Sequence, residues 1–154
     1  MAVRGARPHR LRAVLLLALV IVGAGLLLTR CPANRDGMPG RLAQAMTETT
    51  SAARSGAAAL DTWLQGRSTA QLTSVQLSDA RDEVIRAYKG IAELRAEDPV
   101  DIQRQQMLTE SMTSIIGRLN AASANVRGVG SEPPVDRVRR DLLAAAAGLE
   151  GGYR

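Results

Sequence analysis

Phenylalanine is missing altogether, and the only aromatic side chains are Trp63, Tyr88 and Tyr153. Histidine occurs once, as His9, cysteine once, as Cys31, and lysine once, as Lys89, against nineteen arginines. Each scarcity excludes something. One cysteine permits no intramolecular disulfide, and Cys31 reads as a lone thiol. His9 and Cys31 both lie in the first 31 residues, so the remainder has neither imidazole nor thiol. That excludes Ser-His-Asp and Cys-His nucleophile systems there, ordinary zinc sites, and the Glu-x-x-His pattern of di-iron bundles. No P-loop or GxGxxG stands between a strand and a helix, and no stretch reads as a strand. The shortage of lysine beside abundant arginine and alanine points to a GC-rich, bacterial genome.

The formal charge of +5 looks basic enough for nucleic acid, but its distribution argues otherwise. Residues 1–35 carry six of the 20 basic side chains and no acid; the rest holds 14 basic against 15 acidic, a net of −1. The basicity therefore belongs to one short tail, with no basic stripe and no aromatic platforms for bases. No nucleic-acid partner is expected.

What is present in full is one apolar run. Residues 13–29, AVLLLALVIVGAGLLLT, are seventeen residues without a charge. As a helix they would span roughly 25 Å, at the short end for a hydrocarbon core of about 30 Å. Arg4, Arg7, Arg10 and Arg12 precede the run and Arg30 and Arg35 follow it, so the heavier basic cluster is N-terminal. Basic flanks stay on the cytoplasmic side, which predicts the N-terminus inside and the remainder exported. The run reads as a retained signal anchor, a single-pass span of the cytoplasmic membrane. Two other fates are open: cleavage after Ala24 or Ala33, or lipidation at Cys31, for which Arg30 is a poor neighbour.

The chain divides accordingly into a basic cytoplasmic tail (1–12), the transmembrane anchor (13–29), a linker (30–39) with two prolines and a glycine, and an exported helical bundle (40–154). In the bundle the periodicity is helical throughout. Leu42, Met46, Thr49, Ala53, Gly56, Leu60 and Trp63 recur at alternating spacings of four and three, a seam whose middle is small enough for a partner helix to approach closely. Gly66 ends this first helix. Ser68 and Gln71 have capping-box spacing. A second helix then runs from about residue 69 to 97 on Ala70, Thr73, Leu77, Ala80, Val84, Ala87, Ile91 and Leu94, with Leu72, Val75, Ile85 and Tyr88 widening the stripe. Asp98-Pro99 suits an N-cap followed by the first helical position. The third seam is Leu108, Met112, Ile115, Leu119, Ala122 and Val126, flanked by Met107 and Ile116. Residues 128–134 break the pattern, and a shorter fourth helix follows on Val135, Val138, Leu142, Ala145 and Leu149.

The fold class this predicts is all-α: one N-terminal membrane-spanning helix followed by an up-down antiparallel bundle of three long helices and a shorter fourth. The competing arrangement is a continuous rod kinked at residues 66–68 and dimerised along its seams.

Three surface features invite a chemical reading. Asp79, Asp82 and Glu83 form a carboxylate trio, but the i,i+4 pairs Asp82–Arg86 and Lys89–Glu93 account for them as a solvated face. Asp136–Arg140 and Arg137–Asp141, with Arg139 between, read the same way, with docking of an acidic partner or lipid head groups as the other option. Trp63 lies on its seam and reads as core, as do Met46, Met107 and Met112. No catalytic, cofactor-binding or metal-binding residue is assigned, and no cofactor is expected.

The function these observations predict is that of a non-enzymatic, membrane-anchored cell-envelope protein. Its helical bundle would be an interaction module outside the cytoplasmic membrane, binding a protein partner or itself through helical seams. The alternatives are a ligand-sensing extracytoplasmic bundle that acts through a membrane partner, and a secreted helical protein after signal-peptide cleavage.

Overall fold

The computed structural model describes residues 37–153, four helices with no strand among them. The basic tail, the apolar run at 13–29, Cys31 and most of the linker lie outside the described residues. Within them, no helix is long and apolar enough to cross a membrane.

Helix α1 spans Met38–Leu64, α2 Ala70–Ala92, α3 Pro99–Val126 and α4 Val135–Gly152. The local signals explain most of these bounds. α1 starts two residues before the Gly40 expected from the pattern, because Pro39 sits in the first turn, where a missing N–H costs nothing. It stops at Gly66, which takes a left-handed φ of 69°. There the Arg67 N–H reaches back to the Thr62 carbonyl at 2.9 Å, closing the helix end. Gly128 does the same for α3 with φ 73°, and Val129 N–H bonds the Ala124 carbonyl at 3.0 Å. Asp98 caps α3 as expected, its carboxylate accepting from Val100 N–H at 2.8 Å ahead of Pro99.

Two expectations about α2 are corrected. Its N-cap is Thr69, whose hydroxyl accepts from Leu72 N–H, while Ser68 pairs instead with the buried Thr73 hydroxyl at 2.9 Å. The Ser68–Gln71 capping box therefore does not form. Its C-terminus falls at Ala92, five residues short of the expected end. The reason lies on α3: the Gln105 amide donates to the carbonyls of Ile91 at 2.6 Å and Leu94 at 2.9 Å. Carbonyls freed at the helix end are satisfied from a neighbour, so the helix has no need to continue.

The helices fold back on one another, which rules out the rod. Arg139 faces Asp61 and Glu150 faces Arg54, so α4 runs antiparallel to α1. Gln105 near the start of α3 meets Ile91 at the end of α2, so that pair is antiparallel too. α1 touches all three other helices, whereas α2 and α4 do not touch each other. Its buried side is correspondingly broad and small: Thr49, Ala52, Ala53, Gly56, Ala57 and Ala59 lie between Leu42 and Leu60. The core is filled from the other side by Leu77, Val84 and Ile91, by Leu108, Met112, Ile115 and Leu119, and by Val138 and Leu142. Thr49 is fully buried and satisfies its hydroxyl on the Ala45 carbonyl at 2.7 Å, a bond that keeps a polar group harmless inside.

The predicted seams of α2 and α3 are the buried residues, apart from Ala70 and Leu94 at the ends of α2. In α4, Ala146 takes the buried position expected of Ala145, which stays half-buried. Met46 and Trp63 on the α1 seam are also half-buried against the core. Leu72 and Val75 do not widen the α2 stripe; each is 53% exposed.

Candidate functional site

The surface of the bundle has to be built from its charges, because nearly every buried polar side chain is structural. α3 opens with Asp101, the one buried carboxylate among the described residues. It lies in the first helical turn, where a negative charge is favoured, and Arg104 Nη1 stands 3.8 Å from it one turn on. The same Arg104 guanidinium lies 5.1 Å from the centre of the Tyr153 ring, and Tyr153 Oη donates to the Pro39 carbonyl at 3.2 Å. One tyrosine thus ties the start of α1, the first turns of α3 and the end of α4 into a clasp.

Two cross-helix ion pairs hold α4 to α1: Arg54–Glu150 at 2.8 Å and Arg139–Asp61 at 3.5 Å. The first joins residues 96 apart in sequence. No spacing rule points to such pairs, and sequence reasoning missed them. Gln105 and Arg104 were missed for the same reason: their partners come from other helices.

The carboxylate trio does not converge. Asp82 accepts from both Nε and Nη2 of its neighbour Arg81, at 3.1 and 2.9 Å. Glu83 lies with Arg86 in an open groove between α1 and α2, across from Thr47, Glu48 and Ser51. Asp79 is exposed on the outer side. Among the described residues, no group of three or more His, Cys, Asp or Glu side chains is placed to hold a metal ion.

The expected intrahelical pairs are mostly absent. Asp136–Arg140 forms at 2.7 Å, and this hydrogen bond, before the guanidinium's charge, holds the Asp136 carboxyl below the usual 3.8. Asp82–Arg86, Lys89–Glu93 and Arg137–Asp141 do not form. Competing geometry explains the first: Arg81 already occupies the Asp82 carboxylate.

A second open groove runs between α3 and α4, lined by Met107, Ser111, Ser114, Arg118 and Gly148. Both grooves are shallow, solvent-facing features of a bundle surface with mixed polar and apolar walls; the first carries Glu48, Glu83 and Arg86 and the second Arg118. Such surfaces suit recognition by another surface. Comparison with protein-family models, curated proteins and solved structures gives no match to this chain.

Proposed function

We propose that this chain is a membrane-anchored envelope protein whose four-helix bundle serves as an interaction module outside the cytoplasmic membrane. The observation that carries the reading is the uncharged run at residues 13–29 behind Arg4, Arg7, Arg10 and Arg12. An uncharged segment of that length with a basic N-terminal flank partitions into a bilayer and orients with the flank inside. The bundle then lies on the opposite side, and its work is binding. Support for binding comes from the character of the surface: charges ordered in rows along helices, shallow grooves, and exposed aliphatic residues such as Leu64, Leu72 and Val75.

Membrane extraction tests the location. Cells expressing the full chain are fractionated, membranes are washed at alkaline pH, and the intact mass of the retained protein is measured. The expected result is full-length mass in the washed membranes, with the bundle digested by protease added to the outside of spheroplasts. Protein recovered in the soluble fraction, or a bundle protected until the membrane is permeabilised, would overturn the reading. A mass that begins after Ala24 or Ala33 would replace the anchor with a cleaved signal.

A further inference from the structure

Tyr153 ties Pro39, in the first turn of α1, to Arg104, one turn past Val100 on α3. The entry of the chain into the bundle and the start of α3 therefore lie at one end. Val100 and Ile102 stand in that first turn of α3, 54% and 47% exposed, on either side of the buried Asp101. Cα–Cβ bonds in a helix tilt toward its N-terminus, so both aliphatic side chains lean out of this end. Leu64, Leu72 and Val129 are exposed too, but at the opposite end, about 40 Å away along α1.

The uncharged run stops at Thr29, nine residues before Met38. A chain of that length spans at most roughly 30 Å even when fully extended. If the run spans a bilayer, it tethers the end carrying Val100 and Ile102 within that distance of the lipid. So short a tether gives an effective concentration of millimolar order, and a contact too weak to form between free partners is then populated. We propose that this end of the bundle seats on the bilayer that holds the anchor, with Val100 and Ile102 in its interfacial layer. The seat is apolar in character. The exposed charges around it, Arg41, Lys89 and Arg95 against Glu93, Glu97 and Asp98, cancel, and Asp101 is turned inward beside Arg104. Neutral lipid is therefore enough, and the aliphatic pair supplies the attraction. The opposite end, with Leu64, Leu72 and Val129, is left free for partners. This seat rests on the anchor reading of residues 13–29 and adds to it a fixed orientation of the bundle.

The test uses the full chain in a Cys31→Ser background, reconstituted into phosphatidylcholine vesicles and recovered by flotation. A nitroxide on Glu97→Cys reports depth while both aliphatics stay native, and one on Val129→Cys is the distant control. Expected at position 97 is protection from an aqueous nickel chelate together with ready collision with oxygen, while position 129 is open to the chelate. The protection should survive high salt, which screens charge but not apolar contact. Val100→Asp combined with Ile102→Asp should abolish it. Acidic residues are favoured in a first helical turn, so the fold is kept, and unchanged helicity by circular dichroism checks this. Equal accessibility at 97 and 129, protection lost in salt, or protection that persists in the double variant would each overturn the seat. A chain that floats with the vesicles and gives one of those results leaves the anchor standing. A chain that does not float overturns the anchor, and the seat with it.

Discussion

A Cβ built on Gly56 of α1 would lie 2.6 Å from Cδ2 of Leu119 on α3. The two helices meet across the middle of the bundle only because that position has no side chain, and Leu119 is too deeply buried to swing aside. Gly56→Ala is therefore expected to destabilise the protein by about 1–3 kcal/mol, since overpacking outweighs the gain of about 1 kcal/mol in helix propensity. Gly117, exposed in mid-α3 with no atom near its would-be Cβ, is the counterpart: Gly117→Ala should stabilise by about 0.5–1 kcal/mol. Urea denaturation reads both. Stabilisation by both variants would show that the close approach is not rigid. Leu119→Ala in the Gly56→Ala background should cost less than the sum of the singles, because each relieves the crowding made by the other.

The Gln105 amide stands in for the missing next turn of α2. Gln105→Leu should cost about 0.5–1.5 kcal/mol, as the Leu94 carbonyl loses its donor while the Ile91 carbonyl keeps the backbone N–H groups of Glu93 and Leu94. Amide hydrogen exchange should rise first in the last turn of α2 and in residues 93–97. Uniform protection in the variant would mean that water replaces the amide without loss.

The clasp at Tyr153 predicts a graded response. Tyr153→Phe removes the bond to Pro39 and keeps the ring under Arg104, so a loss of about 0.5–1.5 kcal/mol is expected. Tyr153→Ala also removes the cation–ring contact and should cost at least about 0.5 kcal/mol more. Exchange at the first turn of α1 reports the opening. A phenylalanine variant as impaired as the alanine variant would show that the hydroxyl alone matters.

The Asp136 carboxyl should titrate below 3.8 when followed by NMR, and Arg140→Ala should raise its midpoint toward that value. The sign follows from linkage. A carboxyl with a lowered folded-state pKa contributes stability above its ordinary value, and loses that contribution as pH falls through the folded value. Asp136 is exposed at the start of α4, so a small effect on unfolding at acid pH is expected, with the chemical shift as the sensitive measurement. An unmoved midpoint in Arg140→Ala would assign the shift to the α4 terminus instead.

How much of this was legible in the sequence depends on how far apart the interacting groups lie. The seams of α2 and α3 could be read because a buried helix face repeats every three or four residues, and burial selects the same few side-chain types each time. Asp98-Pro99 and Gly66 could be read because caps are local. Leu72 and Val75 misled, since an aliphatic residue beside a seam looks the same whether or not a neighbouring helix covers it. Gln105 could not be found by pattern: its role comes from α2 ending beside it in space, 11–14 residues back along the chain. Asp136–Arg140 formed as spaced, but Asp82–Arg86 failed for a related reason. Spacing shows that Asp82 can reach Arg86, but Arg81 stands closer and wins.

α1 packs as extensively on α4 as on α2, although some 70 residues separate the end of the first helix from the start of the last. A nascent chain therefore exposes one flank of its alanine-rich first helix until α4 has been made. Closing so long a loop also makes the α1–α4 interface arrive late in folding, after the short-loop α1–α2 contact. Any truncation, stall or cleavage that removes α4 leaves the first helix open along that flank, where a protease or another chain can reach it. Integrity of the whole bundle is thus read at a single place, the docking of its last helix.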